Sequence, residues 1–143
     1  MAKAAGADEL INYSETSVKD EIKRLTDGQG ADVIYDPVGG DLAEDAITAL
    51  ARNGRFLAIG FASGRWPVIE AHDLVVANTS FLGVIAGGQT PAELEEIHAG
   101  LSSLIAEGRL RNAVTATFGF DELPVALQSI ADRAVIGKLV LVG

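Results

Sequence analysis

The sequence predicts an α/β fold in which parallel strands form an open sheet with helices on both faces. Three observations lead to this prediction. Strand-type and helix-type runs alternate along all 143 residues, which is the order expected when helices cross over between parallel strands. Several of the strands are apolar almost throughout, as strands covered on both faces are. Glycines follow two of these strands at their carboxyl ends, the edge at which open α/β sheets bind ligands.

The amino-terminal part of the chain predicts a strand, a helix and a loop. The short run ELINY (9–13) is of the β type, and in the helix after it Val18, Ile22 and Leu25 recur on one face. The run GQGADV (28–33) holds the only G-x-G of the chain. It stands between a helix and a strand, whereas phosphate binding requires a strand before the glycines and a helix after them. We therefore interpret this run as a helix stop.

The middle of the chain predicts two buried strands joined by a helix. ADVIY (31–35) is apolar and runs directly into the turn sequence DPVGG. Asp41, with Glu44 three residues later, predicts the capped start of the helix DLAEDAITALA (41–51). GRFLAIG (54–60) then predicts a second apolar strand.

The glycines that follow these two strands permit two interpretations. Without a Cβ atom, Gly39, Gly40 and Gly60 let a ligand or a neighbouring loop approach the backbone closely. Alternatively, they only form tight turns between strand and helix. Asp36 also permits two interpretations: its carboxylate either faces a ligand or has a capping or turn role before Pro37.

The next part of the chain predicts a strand and the best-marked helix of the sequence. A less regular section (61–79) leads into the strand SFLGVIA (80–86). Thr90 as N-cap, Pro91 at the first helical position and Glu93 in the capping box start the helix. Its apolar face comprises Leu94, Ile97, Leu101, Leu104 and Ile105. After it come the strand AVTATFGF (113–120), a helix over about 121–132 and the strand GKLVLVG (137–143).

Composition excludes several classes of function. The formal charge of −9 is spread along the chain, which disfavours a nucleic-acid partner. There is no cysteine, so disulfides, Cys-rich zinc sites and thiol nucleophiles are excluded together. No apolar run approaches the ~18–20 residues that cross a bilayer, and the amino terminus resembles no targeting segment. These observations predict a cytoplasmic protein without membrane or nucleic-acid partners.

No residue is identified as a catalytic acid, base or nucleophile. The two histidines, His72 and His98, lie in separate segments without the spacing of metal ligands, so no metal site is predicted. Ser63 lacks the G-x-S-x-G elbow of a nucleophilic serine.

Six runs, taken together, resemble the medium-chain dehydrogenases/reductases, and within them the zinc-independent quinone oxidoreductase group that includes zeta-crystallin. They occur in the order and at the spacing of that family and cover nearly the whole chain. They are AGADELINY (5–13), GQGADVIYDPVGGD (28–41), GRFLAIGFASG (54–64), SFLGVIAG (80–87), LIAEGRL (104–110) and FGFDELPVALQSIADRAVIGKLVL (118–141).

The resemblance implies a partial fold. Residues 1–143 would be the carboxyl-terminal part of a Rossmann-type, doubly wound parallel sheet that lacks its first two strands and its glycine-rich fingerprint. The final segment, 114–143, would return to a catalytic domain that is missing here. ADVIY would then have an unpaired inner edge, and ELINY would be detached from its neighbours. That edge is expected to be covered either by self-association or by a substitute strand, for which KLVLVG (138–143) is the best candidate. SFLGVIA is expected to pair with its copy in a homodimer.

The resemblance also implies a cofactor, NADPH, with NADH as a possibility. Tyr13 matches the position beside the adenosine 2′-phosphate, or else only packs at the end of a strand. Gly39 and Gly40 match the turn near the cofactor ribose. The positions matching the nicotinamide half are Ile59, Gly60 and Phe61, and those matching the strand whose backbone meets the carboxamide are Gly83 and Val84.

The implied activity is metal-independent hydride transfer from the nicotinamide to a quinone or enone, with the protein acting mainly by positioning the ring. This incomplete chain is expected to be inactive alone. Two alternatives remain: a non-catalytic dinucleotide-binding or dimerisation module, and a subunit completed in trans by a separate amino-terminal chain.

Overall fold

The computed structural model describes residues 2–85, 87–111, 113–132 and 134–143. These residues form two compact units, Ala2–Gly88 and Gln89–Gly143. The first unit is built on a three-stranded sheet and the second on a two-stranded sheet. Both sheets are parallel, which confirms the predicted α/β class with parallel strands.

The secondary structure follows the predicted alternation. The first unit contains a 3-10 turn at Lys3–Ala5, helix α1 at Val18–Leu25, strand β1 at Ala31–Asp36, α2 at Gly40–Ile47, β2 at Leu50–Ala58, α3 at Ala71–Ala77 and β3 at Ser80–Gly83. The second contains α4 at Pro91–Ala106, β4 at Val114–Gly119, a 3-10 turn at Phe120–Glu122, α5 at Leu123–Ala131 and β5 at Lys138–Val142. Every predicted helix is present, and α3 is an additional helix within the section predicted to be less regular.

The core of the first unit lies on one face of its sheet. The strand order is β1-β2-β3, so β2 is central and its Phe56 is fully buried. Phe56 stacks on Phe81 of β3 with ring centroids 5.3 Å apart, and Ala43 and Ala46 of α2 pack in the same cluster. Burial of a side chain of this size contributes about 1.5–3 kcal/mol. The apolar positions of α2 and β2 thus fix the helix against the sheet.

The opposite face of this sheet is open. Val33 and Tyr35 of β1 and Leu82 of β3 point away from the Phe56 side, and they are 44%, 67% and 43% exposed. Within this unit, α1 and α2 both pack on the Phe56 side, where Val18 and Ile47 contact the core.

Residues 9–13 do not form the predicted strand. They lead into a turn in which Asn12 accepts hydrogen bonds from the backbone N–H groups of Ser14, at its side chain (3.2 Å), and Thr16, at its carbonyl (3.1 Å). Within the described chain this run pairs with no strand, so no ladder holds it extended. The structure thus agrees with the implication of the resemblance that ELINY is detached from neighbouring strands.

The predicted helix 41–51 differs at both ends. Helix α2 begins at Gly40 with Gly39 as its N-cap, and Asp41 bonds to an arginine rather than capping the helix. At the other end the backbone N–H of Ala49 donates to the carbonyl of Ala46 in a tight turn (2.9 Å). Leu50 already pairs with β1, which is why the helix stops earlier than its sequence predicts.

The second unit confirms one local prediction and corrects one long-range prediction. The backbone N–H of Thr90 donates to Glu93 Oε2 (2.7 Å) and the backbone N–H of Glu93 donates to Thr90 Oγ1 (3.4 Å), so the capping box of α4 is formed as predicted. Strand β5, which contains KLVLV, pairs with β4. The prediction that KLVLVG covers the free edge of β1 is therefore wrong.

The helices that the structure describes are all too short or too polar to span a membrane.

Candidate functional site

The candidate site is the carboxyl edge of the three-stranded sheet. Asp36, Ala58 and Gly83 are partners across the sheet, so β1, β2 and β3 end at one level and their following loops lie side by side. All the predicted site residues except Tyr13 belong to this edge or to the loops that leave it. They are Gly39, Gly40, Ile59, Gly60, Phe61, Gly83 and Val84.

Asp36 organises the turn after β1. Its carboxylate is buried and accepts hydrogen bonds from the backbone N–H groups of Val38 (2.9 Å) and Gly39 (3.0 Å). Its carbonyl oxygen accepts from the backbone N–H of Ile59 (2.9 Å) at the end of β2. Of the two interpretations of Asp36, the structure therefore supports the capping of the turn.

The glycines after β1 and β2 let two loops approach one another. A Cβ atom on Gly39, whose φ is +72°, would lie 2.5 Å from the carbonyl oxygen of Arg65, and a Cβ on Gly60 would lie 2.9 Å from that of Pro37. Both distances are shorter than van der Waals contact allows. Hydrogen bonds join the same loops, because Ser63 N–H donates to the carbonyl of Val38 (2.8 Å). Here the missing Cβ atoms serve loop packing.

The third strand end is different because its backbone is open. A Cβ atom on Gly83 would meet nothing within 4 Å, and Val84 is 43% exposed while its N–H donates to the carbonyl of Ala58 (3.0 Å). Beyond β2, the rings of Phe61 and Trp66 lie 4.8 Å apart at 41°, and both are about half exposed. An accessible backbone and an accessible aromatic pair are the features of this edge that a flat ligand can contact.

Tyr13 lies in the turn that precedes α1, and its side chain is 60% exposed. It does not belong to the sheet edge formed by the other predicted residues. Its role beside an adenosine 2′-phosphate stays a prediction.

Arg65, which was not predicted as a site residue, joins the loop after β2 to helix α2. Arg65 Nη1 donates to Glu44 Oε1 (2.6 Å) and Nη2 bonds to Asp41, in the second and first turns of α2 respectively. Glu44 Oε1 also accepts from the backbone N–H of Val68 (2.8 Å). The bond from Arg65, followed by that from Val68, lowers the pKa of Glu44 to about 2, and the two carboxylates raise the pKa of Arg65. These partners are 21 to 24 residues apart, so no local pattern could have predicted the cluster.

A cavity of about 360 Å³ lies in the first unit, between α2, α3 and the start of β2. Leu50 and Thr79, which line it, stand at the amino ends of strands, while Glu44 and Val68, which also line it, belong to the cluster around Arg65. In the part of the chain that the structure describes, no three His, Cys, Asp or Glu side chains are grouped as a metal site would require.

Comparison with known proteins gives the family. Residues 5–141 match the family model described as zinc-binding dehydrogenase. Quinone oxidoreductase-like protein 2 homolog of Nematostella vectensis is 37% identical over 145 residues, which is 99% of this chain and 40% of that protein. The 2-haloacrylate reductase of a Burkholderia species is 31% identical over 144 residues, 98% of this chain and 43% of that protein.

Solved structures agree with this match. The crystal structure of Escherichia coli quinone oxidoreductase complexed with NADPH superposes with a TM-score of 0.88 at 28% identity, over 99% of this chain and 45% of that one. The chain thus spans less than half the length of the relatives it matches. It belongs to the zinc-binding dehydrogenase family, as a carboxyl-terminal domain of the medium-chain, quinone oxidoreductase-like group.

Proposed function

We propose that this chain is the cofactor-binding part of an NADPH-dependent oxidoreductase that reduces quinones or enones. The observation that carries the proposal is the edge where β1, β2 and β3 end together, with open backbone at Gly83, a partly exposed Val84 beside it and an exposed aromatic ring at Phe61. Ligands of doubly wound sheets bind at this edge. The E. coli relative, which is complexed with NADPH, supports the choice of cofactor, and NADH is the possible second cofactor.

The residues proposed to hold the cofactor are those that match the family's cofactor positions, and all of them except Tyr13 lie at the sheet edge. Gly83 and Val84 would accept the carboxamide end, Ile59, Gly60 and Phe61 the nicotinamide ring, and Gly39 and Gly40 the ribose, with Tyr13 at the adenosine 2′-phosphate. Bound NADPH would supply a hydride to a carbon or oxygen of the conjugated acceptor. The contribution of this chain would be to bind and orient the ring. The Burkholderia relative, a 2-haloacrylate reductase, supports a conjugated alkene as one acceptor class.

The remaining parts of the proposal concern the whole protein. We propose that residues 114–143 return to a catalytic domain, that the protein forms a homodimer through sheet edges, and that it acts in the cytoplasm. The absence of cysteine in the sequence agrees with a reducing compartment. Within this proposal the chain is expected to bind cofactor without turning over substrate alone.

The first test is a titration with NADPH followed by the fluorescence of Trp66, the only tryptophan of the chain. Saturable quenching at micromolar NADPH, weaker with NADH, is expected. Gly83→Leu should abolish the quenching, because it adds a side chain where the backbone is open. Gly100→Leu is the matched control, since a Cβ there also meets nothing within 4 Å and Gly100 lies within α4. Equal quenching in both variants, or none in the unmodified chain up to millimolar NADPH, contradicts the proposal.

A second candidate is a subunit completed in trans by a separate amino-terminal chain. The observation that favours it is the open face of the sheet, where Val33 and Tyr35 of the edge strand β1 are exposed. This candidate predicts that NADPH binding and quinone reduction appear only after co-expression with such a chain. Binding by the 143-residue chain alone would favour the first candidate.

A further inference from the structure

The loop after β2 is fastened to α2 through one cation. Arg65 bonds to both Asp41 and Glu44, in the first and second turns of the helix. Glu44 then reaches the far end of the same loop at the N–H of Val68. One carboxylate therefore holds the loop at two points, at positions 65 and 68.

The same loop is fastened on its other side to the turn after β1. The backbone N–H of Ala62 donates to the carbonyl of Pro37 (3.2 Å) and that of Ser63 donates to the carbonyl of Val38 (2.8 Å). Gly39 permits the carbonyl of Arg65 to sit against this turn. The segment 61–68 is thus held between a turn and a helix, although most of its side chains are exposed.

The segment presents the aromatic surface of the candidate site. Phe61 and Trp66 contact each other with ring centroids 4.8 Å apart, and Arg65 directly precedes Trp66. Arg65 Nη1 also bonds to the carbonyl oxygen of Trp66 (3.4 Å). Movement of the Arg65 side chain would therefore move the backbone of Trp66 and, with it, the indole ring.

We propose that Arg65 is a positioning residue: its bonds to Glu44 and Asp41 hold segment 61–68 so that Phe61 and Trp66 present one fixed surface to the nicotinamide half of the cofactor. This inference rests on the proposed function. Arg65 itself contacts neither cofactor nor substrate in this role and acts through the backbone that it holds.

The cluster keeps its charges across the working range of pH. Because the pKa of Glu44 is lowered in the folded chain to about 2, from an ordinary value of 4.5, its stabilising effect is complete above 4.5 and is lost as the pH falls toward 2. Arg65 Nη1 and Nη2 donate to Oε1 (2.6 Å) and Oε2 (3.3 Å) of Glu44. Such a bidentate contact also fixes the direction of the guanidinium, which a lysine at position 65 would not do.

The test is Glu44→Gln, which removes one of the two charges paired with Arg65, leaves that of Asp41, and keeps an oxygen for the N–H of Val68. Glu21→Gln is the matched control, because Glu21 also pairs with an arginine, Arg24, at 2.8 Å, and its pKa is also lowered. That pair lies on α1, away from the sheet edge. In the unmodified chain and in both variants we would measure amide hydrogen exchange at residues 62 and 63, fluorescence anisotropy of Trp66 and the Kd for NADPH.

Glu44→Gln should speed exchange at Ala62 and Ser63 and weaken NADPH binding, each by roughly two- to fivefold, the range for an exposed pair with several bonds. Binding of 2′,5′-ADP, which lacks the nicotinamide half, should change in neither variant. Arg65→Lys should fall between the unmodified chain and Glu44→Gln, and it serves as the second variant if Glu44→Gln fails to fold.

The outcomes separate this inference from the proposed function. Exchange, anisotropy and Kd that are the same in Glu44→Gln as in Glu21→Gln overturn the inference while leaving NADPH binding intact. Equal weakening of NADPH and 2′,5′-ADP overturns it too, because the effect would then not belong to the nicotinamide half. No NADPH binding by the unmodified chain overturns the proposed function and the cofactor role of Arg65 with it.

Discussion

At the scale of single residues, the glycines and Asp36 show where sequence reasoning ends. The sequence predicts that backbone approaches closely at Gly39 and Gly60, and the structure has such approaches. What approaches is a neighbouring loop, and this depends on residues that are distant in the chain. The role of Asp36 also depends on the folded structure, because its carboxylate accepts hydrogen bonds from two backbone N–H groups and thereby caps the turn. Residue type indicated the need for space, while tertiary contacts determined what fills it.

Substitution by alanine is expected to destabilise the protein at Gly39 and to have little effect at Gly83. Gly39→Ala combines a positive φ with a Cβ placed 2.5 Å from a carbonyl oxygen, and it should lower the free energy of unfolding by roughly 2–4 kcal/mol. Gly83→Ala meets open space and should change it by less than about 0.5 kcal/mol. Urea denaturation of both variants measures this difference. Similar losses would show that the two strand ends are not as distinct as described.

At the scale of elements, the best-marked helix start was predicted correctly from local residue patterns, whereas strand pairing was not predicted correctly. The start of α4 was predicted because Thr90, Pro91 and Glu93 interact within one turn. The run ELINY (9–13) has β-type residues and still forms no strand in the described chain, since a strand requires a partner. Helix α3, at Ala71–Ala77, was missed because it is short and its N-cap position, Glu70, makes no side-chain capping bond.

The capping box of α4 provides a quantitative test. Thr90→Ala removes the hydroxyl that accepts from the N–H of Glu93 and should destabilise the helix by about 1 kcal/mol. Ser103→Ala, in the same helix, removes a hydroxyl whose bond to Glu107 is exposed; it should be nearly neutral, since alanine favours helices. Thermal unfolding followed by far-ultraviolet circular dichroism compares the two. A loss in Ser103→Ala as large as in Thr90→Ala would contradict a specific role of the cap.

At the scale of the whole molecule, the three-stranded sheet has two edges, β1 and β3, that pair with no other strand in the described residues. Next to the first edge, Tyr35 and Val33 lie exposed on the open face, and Leu82 is exposed on the second. Edge strands with exposed apolar side chains favour pairing with another chain. The net charge of −9 opposes association only weakly at physiological salt, because charges on separate chains are screened beyond about 8 Å.

These edges predict reversible self-association, and lysine substitutions identify which edge is used. If β3 pairs with its copy, as the family resemblance implies, Leu82→Lys should raise the dissociation constant by about tenfold, equivalent to ~1.4 kcal/mol. If β1 is used, Tyr35→Lys should have that effect instead. Val75→Lys, at an exposed apolar position of α3, is the control for added charge. Sedimentation velocity over a range of concentrations measures all four proteins. A monomer at every concentration, or equal weakening by all three substitutions, would exclude edge pairing, because only substitutions on the pairing strand alter a strand-to-strand contact.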